Sequence, residues 1–78
     1  MTISVEVLGP LKNPFGRRSF TTSVPDGATV HCFLLGAFGL REQEAAHLVI
    51  QINGIDAHAD TVLHDGDALR LFLPVGGG

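Results

Sequence analysis

The sequence has no tryptophan, no tyrosine and a single cysteine, Cys32, among its 78 residues. One thiol excludes a disulfide framework within the chain and is typical of a protein that works in a reducing compartment. No apolar run approaches the roughly 18 residues that a membrane helix requires. The first residues also lack the basic leader and apolar block of a signal peptide. We therefore expect a cytoplasmic protein that does not enter a membrane.

Basic residues are also few. Five Lys and Arg stand against eight Asp and Glu, which gives a net charge of −3 at pH 7. So few scattered cations make a poor phosphate-binding surface, so a nucleic acid is not expected as a partner. A chain of this length forms one small domain with a limited core, which leaves little room for a catalytic cleft. These properties favour a protein that acts through partner proteins over an autonomous enzyme.

Alternating residues predict two strands in the first third of the chain. Apolar side chains fall at every second position over residues 3–7, and a second alternation covers residues 19–24. The Gly- and Pro-containing segment between them is typical of a loop, so the two strands are predicted to form a hairpin.

A helix is predicted to begin after Thr29, whose hydroxyl can accept a bond from a free backbone N–H at the helix start. Gly39 provides a left-handed stop. Between them, apolar residues recur at helical spacing and predict one buried stripe, formed by Val30, Phe33, Leu34, Ala37 and Phe38.

The second half of the chain predicts further strands. Residues 40–47 are compatible with a helical turn or a loop. Ile50 and Ile52 alternate with Gln51, and Asn53-Gly54 signals a tight turn. A further short strand is expected near residues 58–63. In the last strand Leu69, Leu71 and Leu73 share one face, and Arg70 and Phe72 point to the other. One helix covers only one face of such a sheet, which indicates an α+β fold.

The histidines show no metal-binding pattern. His31, His47, His58 and His64 are irregularly spaced and lack convergent ligands, so no metal site is expected. Cys32 follows His31, but adjacent helical residues do not face each other, so an inert thiol is expected.

Two other charged clusters have simple structural interpretations. Asp65 and Asp67 flank Gly66 and are expected to serve turn formation and not a paired-carboxylate site. Arg17 and Arg18 precede the second strand, where they would discourage edge-to-edge pairing or contact an acidic partner.

Three stretches of the chain together resemble the ThiS/MoaD family of small bacterial sulfur carriers. Gly27-Ala28-Thr29-Val30-His31 resembles the start of the family's helix, and Ile52-Asn53-Gly54 resembles its central strand and turn. The third stretch is the most specific. It runs from Asp65-Gly66-Asp67 through the last strand and Pro74-Val75 to Gly77-Gly78.

The resemblance implies a fold and a domain organisation. The fold would be the ubiquitin-like β-grasp, with a mixed four- to five-stranded sheet and one main helix packed on one face. Residues 1–75 would form a single domain. Residues 76–78 would form a flexible glycine tail, because glycine is costly to order and has no side chain to pack.

The resemblance also implies a chemistry at the C-terminal glycine. An E1-like enzyme would use ATP to adenylate the Gly78 carboxylate, and a sulfur donor would convert the adenylate to a thiocarboxylate. Gly77 would supply an unhindered penultimate link, and Gly76 replaces a bulkier residue often found there. The chain itself would bind no cofactor and no metal, since ATP belongs to the E1-like partner.

The same resemblance suggests a docking surface and three candidate functions. Phe72, Val75, Leu8 and Gly76 would contact the E1-like enzyme and a larger sulfur-accepting synthase. The Pro74-Val75 ending favours a MoaD-like small subunit of molybdopterin synthase, whereas the helix start and last strand also resemble ThiS, the carrier for thiamine thiazole formation. The alternative from another class is a ubiquitin-like interaction module without sulfur chemistry.

Overall fold

The computed structural model describes residues 1–9 and 15–73 of the chain. Five strands form one sheet: β1 (Thr2–Leu8), β2 (Ser19–Ser23), β3 (Val49–Ile52), β4 (Ile55–Ala57) and β5 (Ala68–Phe72). Their order across the sheet is β2-β1-β5-β3-β4. The central pair, β1 and β5, is parallel, and the other neighbours are antiparallel. The predicted mixed sheet is therefore confirmed.

The helices lie on one face of this sheet. A short α-helix, α1 (Val30–Cys32), continues directly into a π-helical turn, Phe33–Ala37, and a second helix, α2, spans Glu42–Ala46. None of the helices in residues 1–9 and 15–73 is long and apolar enough to span a membrane. The buried apolar side chains form one core between these helices and the sheet: Ile3, Val5, Val7, Val24, Val30, Phe33, Leu34, Phe38, Leu40, Ala45, Ile50, Leu63, Leu69 and Leu71.

The start and end of the main helix follow the prediction. The Cys32 amide donates to the Thr29 hydroxyl at 3.1 Å, which is the expected N-cap. Gly39 adopts a φ of 77° and ends the helical segment.

The predicted helical stripe is wrong at one position. Ala37 is exposed, whereas Phe33 and Phe38, five residues apart, are both buried. The reason is the π turn, in which the Phe38 amide donates to the Phe33 carbonyl at 3.0 Å. This wider turn brings two bulky rings to the sheet, with centroids 6.1 Å apart, and rotates Ala37 towards solvent.

The prediction of an extra strand near residues 58–63 is wrong, because the extra strand lies earlier in the chain, at Ile55–Ala57. The Asn53-Gly54 turn reverses the chain at once, so β4 begins at Ile55 and pairs with β3. Within 58–63 the only strand-like pairing is an isolated bridge between Val62 and Thr29. Residues 40–47, whose sequence is compatible with a helical turn or a loop, contain α2.

Asn53 and Asp67 form a polar lock between the β3–β4 turn and the start of β5. Asn53 has a φ of 55°, and its Oδ1 accepts from the Ala68 amide at 3.0 Å. Its Nδ2 donates to Asp67 Oδ1 at 3.0 Å, while Asp67 Oδ2 accepts from the His64 amide at 2.8 Å. Asp67 is buried, and among the described residues no buried side-chain nitrogen or oxygen lacks a partner.

Asp65 has a simpler part in the same loop. It is exposed, and its Oδ1 accepts from the Thr2 amide at 2.8 Å. Asp65 and Asp67 thus bind backbone and amide donors and do not form a paired-carboxylate site, as the turn interpretation predicts.

Candidate functional site

The face of the sheet opposite the helices carries an apolar patch at the end where β5 leaves the sheet. Leu8 of β1 lies beside Phe72 of β5, and Phe72 lies beside Val49 of β3. All three side chains are partly exposed. We refer to Leu8, Val49 and Phe72 as the apolar patch. Such a partly exposed apolar cluster on a small domain often marks a contact surface.

Alternation places Phe72 on this face. Leu69 and Leu71 are fully buried beneath the helices, so Arg70 and Phe72 must point to the opposite side of the sheet. The predicted outward position of Phe72, with Leu8 next to it, matches this geometry. Val49 was missed, because its place in the patch depends on the β3–β5 register and has no local sequence signal.

The remaining predicted site residues are C-terminal to Leu73. Val75, Gly76, Gly77 and Gly78 lie outside the described residues, and so do the domain boundary at residue 75 and the predicted tail. The described chain leaves β5 at Phe72, so these residues follow directly after the patch in sequence.

A polar row crosses the open face next to the apolar patch. Arg70 Nε donates to Glu6 Oε1 across β5 and β1 at 2.9 Å. On the other side of Arg70, Gln51 Nε2 donates to Asp56 Oδ1 at 3.2 Å. Ser19 lies opposite Glu6 on β2. Over two residues along β1, β3 and β5, the open face therefore changes from apolar side chains to the polar Glu6, Gln51 and Arg70.

A shallow cavity of about 660 Å³ lies beside this row, over β2, β1 and β5. Small side chains form much of its floor, among them Ser4, Thr21 and Ala68. Arg17 and Arg70 contribute to its lining. The cavity is thus open, and its charged lining consists of Arg17, Arg70 and the Glu6 carboxylate.

The His31 imidazole is paired with Glu42 and not with Cys32. Cys32 is exposed, and His31 Nε2 instead meets the Glu42 carboxylate at 2.8 and 3.0 Å, which joins the main helix to α2. The first amides of α1 are already bonded: Val30 to the Thr61 carbonyl and His31 to the Ala59 carbonyl. In residues 1–9 and 15–73, no group of three or more His, Cys, Asp or Glu side chains is placed to hold a metal ion.

Comparison with protein families decides how this arrangement is to be interpreted. The sequence model of the ThiS family matches residues 5–78, which is nearly the whole chain. The chain belongs to the ThiS family. Members of the ThiS/MoaD family are small carrier proteins and are not catalytic by themselves. No curated protein sequence matches the chain.

Solved structures place the ThiS-family chain in the β-grasp fold. SAMP1 from Haloferax volcanii is 27% identical with a TM-score of 0.75, and the match covers 100% of both chains. A chain of the complex of subunits 1 and 2 of molybdopterin-converting factor from Helicobacter pylori is 26% identical, with a TM-score of 0.62 and 100% of both chains covered. A putative molybdopterin converting factor subunit 1 from Pyrococcus furiosus is 23% identical, with a TM-score of 0.69, and the match covers 95% of this chain and 98% of that one. The last supports the fold alone. The predicted ubiquitin-like β-grasp fold is confirmed.

Proposed function

We propose that this chain is a sulfur-carrier protein whose Gly78 carboxylate is converted to a thiocarboxylate for cofactor biosynthesis. The observation that carries the proposal is the ThiS-family match, which extends through the glycines to residue 78. The structure supports it by placing the apolar patch at the point where the chain leaves β5 toward those glycines. Docking at the patch would hold the reactive end near a partner's active site.

The chemistry needs two steps, and the partner supplies the catalytic groups for both. In the first, a Gly78 carboxylate oxygen attacks the α-phosphate of ATP in an E1-like enzyme, forming an acyl-adenylate and releasing pyrophosphate. In the second, a sulfide-level sulfur from a donor attacks the carbonyl carbon and AMP leaves. This chain contributes the Gly78 carboxylate and the unhindered Gly77 link. It also contributes the proposed docking surface, formed by Leu8, Phe72, Val75 and Gly76.

A tail of small residues suits this role on geometric grounds. The five residues after Leu73 span at most about 17 Å when fully extended. Glycine lacks the side chain that would obstruct a narrow channel, so Gly76, Gly77 and Gly78 can enter one. We propose that the tail works in this extended form within the partner.

The acceptor of the sulfur is proposed to be a larger synthase subunit. The likeness to the Helicobacter pylori complex, in which subunits 1 and 2 of molybdopterin-converting factor bind each other, supports a MoaD-like small subunit of molybdopterin synthase. A ThiS-like carrier for thiazole formation uses the same chemistry at Gly78 and differs in the acceptor. Both would operate in the cytoplasm, where the reducing conditions preserve a thiocarboxylate and the free Cys32 thiol.

A second candidate is a protein modifier. It is favoured by the likeness to SAMP1 of Haloferax volcanii, which is a small archaeal modifier protein. In that case a lysine amine of a target protein would attack the same acyl-adenylate, AMP would leave, and an amide would link Gly78 to the target. A docking module that binds through the sheet face alone would need neither thiocarboxylate formation nor amide-bond formation at Gly78.

The test is intact-mass spectrometry after incubation with ATP, sulfide and the E1-like adenylating enzyme of the same organism. A carrier gains the mass difference between sulfur and oxygen, and the gain maps to the peptide that ends at Gly78. A variant lacking Gly77 and Gly78 is the control and should gain nothing. Adenylate formation followed only by attachment to other proteins would favour the modifier, and no reaction with ATP would favour the docking module.

A further inference from the structure

Two arginines border the apolar patch on the open face of the sheet. Arg70 lies two residues before Phe72 on β5 and therefore on the same face. Arg17 precedes β2, where the Val7 amide donates to the Arg18 carbonyl and continues the β1–β2 pairing beyond the strand. Alternation then puts Arg17 on the face of Ser19 and level with Leu8, and it lines the same cavity as Ser19 and Arg70.

Most carboxylates of the chain lie away from this corner. On the open face, the described acidic side chains are Glu6, which pairs with Arg70, and Asp56, which is hydrogen-bonded to Gln51 on the far side. β4 is two strands from β5, which corresponds to roughly 10 Å across the sheet. Although the chain as a whole is negative, the described side chains that line the open face over β2, β1 and β5 include two cations, Arg17 and Arg70, and one carboxylate, Glu6.

Arg70 can bind a partner without leaving Glu6. Its side chain is 52% exposed, and among the described residues its Nε makes the one hydrogen bond of the guanidinium group. A guanidinium has five N–H donors, so the four on the two Nη atoms remain available to a second carboxylate. Glu6 thus orients the Arg70 guanidinium group. Its negative charge also offsets the positive charge that would attract a partner's carboxylate.

We propose that the protein docking on the open face presents carboxylates to Arg70 and Arg17 around its apolar contact with Leu8, Val49 and Phe72. This inference rests on the proposed function, in which the first docking protein is the E1-like adenylating enzyme. The apolar patch supplies buried area, and the two arginines select a partner with an acidic surface and fix its orientation relative to the tail.

Four single variants test the proposal through the KM of this chain in adenylation, measured as ATP-dependent pyrophosphate release. Arg70→Gln removes the cation and should raise KM about tenfold. Glu6→Gln removes the competing carboxylate and should lower KM. Arg17→Glu should raise KM and flatten its dependence on ionic strength, because salt screens exposed charges over roughly 8–10 Å. Arg41→Glu is the matched control for that charge reversal, since Arg41 is exposed and precedes α2, and it should leave KM unchanged.

The decisive result is that Arg70→Gln raises the KM and Glu6→Gln lowers it. If the pair only stabilised the sheet, each change would weaken the same charged hydrogen bond, and neither variant would lower KM. Equal shifts, or no shift in either variant, would overturn the inference while leaving the carrier function intact. Failure of the wild-type chain to be adenylated at all would instead refute the proposed function, and this inference with it.

Discussion

Replacement of Asp67 by asparagine should destabilise the protein, although the two side chains have almost the same shape. Both Asp67 carboxylate oxygens accept: Oδ1 from Asn53 Nδ2 and Oδ2 from the His64 amide. An asparagine has only one acceptor oxygen, so its amide nitrogen would face one of these donors. Rotating Asn53 does not help, because its Oδ1 already accepts from the Ala68 amide.

The expected cost follows from this count of donors and acceptors. One partly buried donor loses its acceptor on the buried Asp67, at about 1–3 kcal/mol, and the remaining bond loses its charged acceptor. We expect a loss of about 2–3 kcal/mol from a total unfolding free energy of roughly 4–12 kcal/mol for a domain of this size. The melting temperature should fall by roughly 8–24 °C.

Urea unfolding followed by circular dichroism is the suitable assay, since the chain has no tryptophan or tyrosine for fluorescence. Asp65→Asn is the matched control. Asp65 is exposed and accepts one bond, from the Thr2 amide, which an asparagine oxygen can also accept. The control should stay within about 0.5 kcal/mol of the wild type. If Asp67→Asn were no less stable than Asp65→Asn, the reasoning about the polar lock would be wrong.

Three further predictions concern the helix, the sheet and the tail. Thr29→Ala should lower the unfolding free energy by about 1 kcal/mol in the same urea assay, because it removes the N-cap acceptor; an unchanged midpoint would contradict this. Leu71→Ala should cost about 2–5 kcal/mol of stability, whereas Phe72→Ala should cost far less and mainly raise the KM for adenylation; equal stability losses would mean that the two faces are assigned wrongly. Deletion of Gly77 and Gly78 should leave the melting temperature unchanged and abolish adenylation, and retained adenylation would place the reactive carboxylate elsewhere.

The parts of the fold that were predicted correctly have local causes. Alternation over β1 and β5 arises from the pleat of each strand. Thr29 and Asn53-Gly54 act through backbone groups within three residues of themselves. Such signals can be recognised in a single sequence, because the interaction partners are adjacent in the chain.

The parts that were missed depend on tertiary packing. The π turn exists because Phe33 and Phe38 both fit against the sheet, and only the assembled core shows that this spacing is favoured over the regular one. The Asn53–Asp67 lock joins residues 14 positions apart. The sequence predicts the tight turn at Asn53-Gly54 and the Asp-Gly-Asp loop separately. Neither motif predicts that the Asn53 and Asp67 side chains bind each other.

The candidate site likewise contains residues that the sequence places correctly and residues whose roles depend on tertiary structure. Leu8 and Phe72 could be placed on the open face from alternation alone. Val49 and Arg70 acquire their roles from the β3–β5 and β1–β5 registers, which set which side chains are neighbours across strands. The register is a property of the whole sheet and has no signal in a single strand.

The protein isolated from its own organism would show whether Gly78 carries sulfur. The protein is treated with an alkylating reagent that reacts with thiocarboxylates, and the peptide ending at Gly78 is analysed by mass spectrometry. We expect a fraction of this peptide to carry the alkyl group on a C-terminal sulfur. A C-terminal peptide found entirely as the free carboxylate, in cells that are actively making the sulfur-containing cofactor, would contradict it.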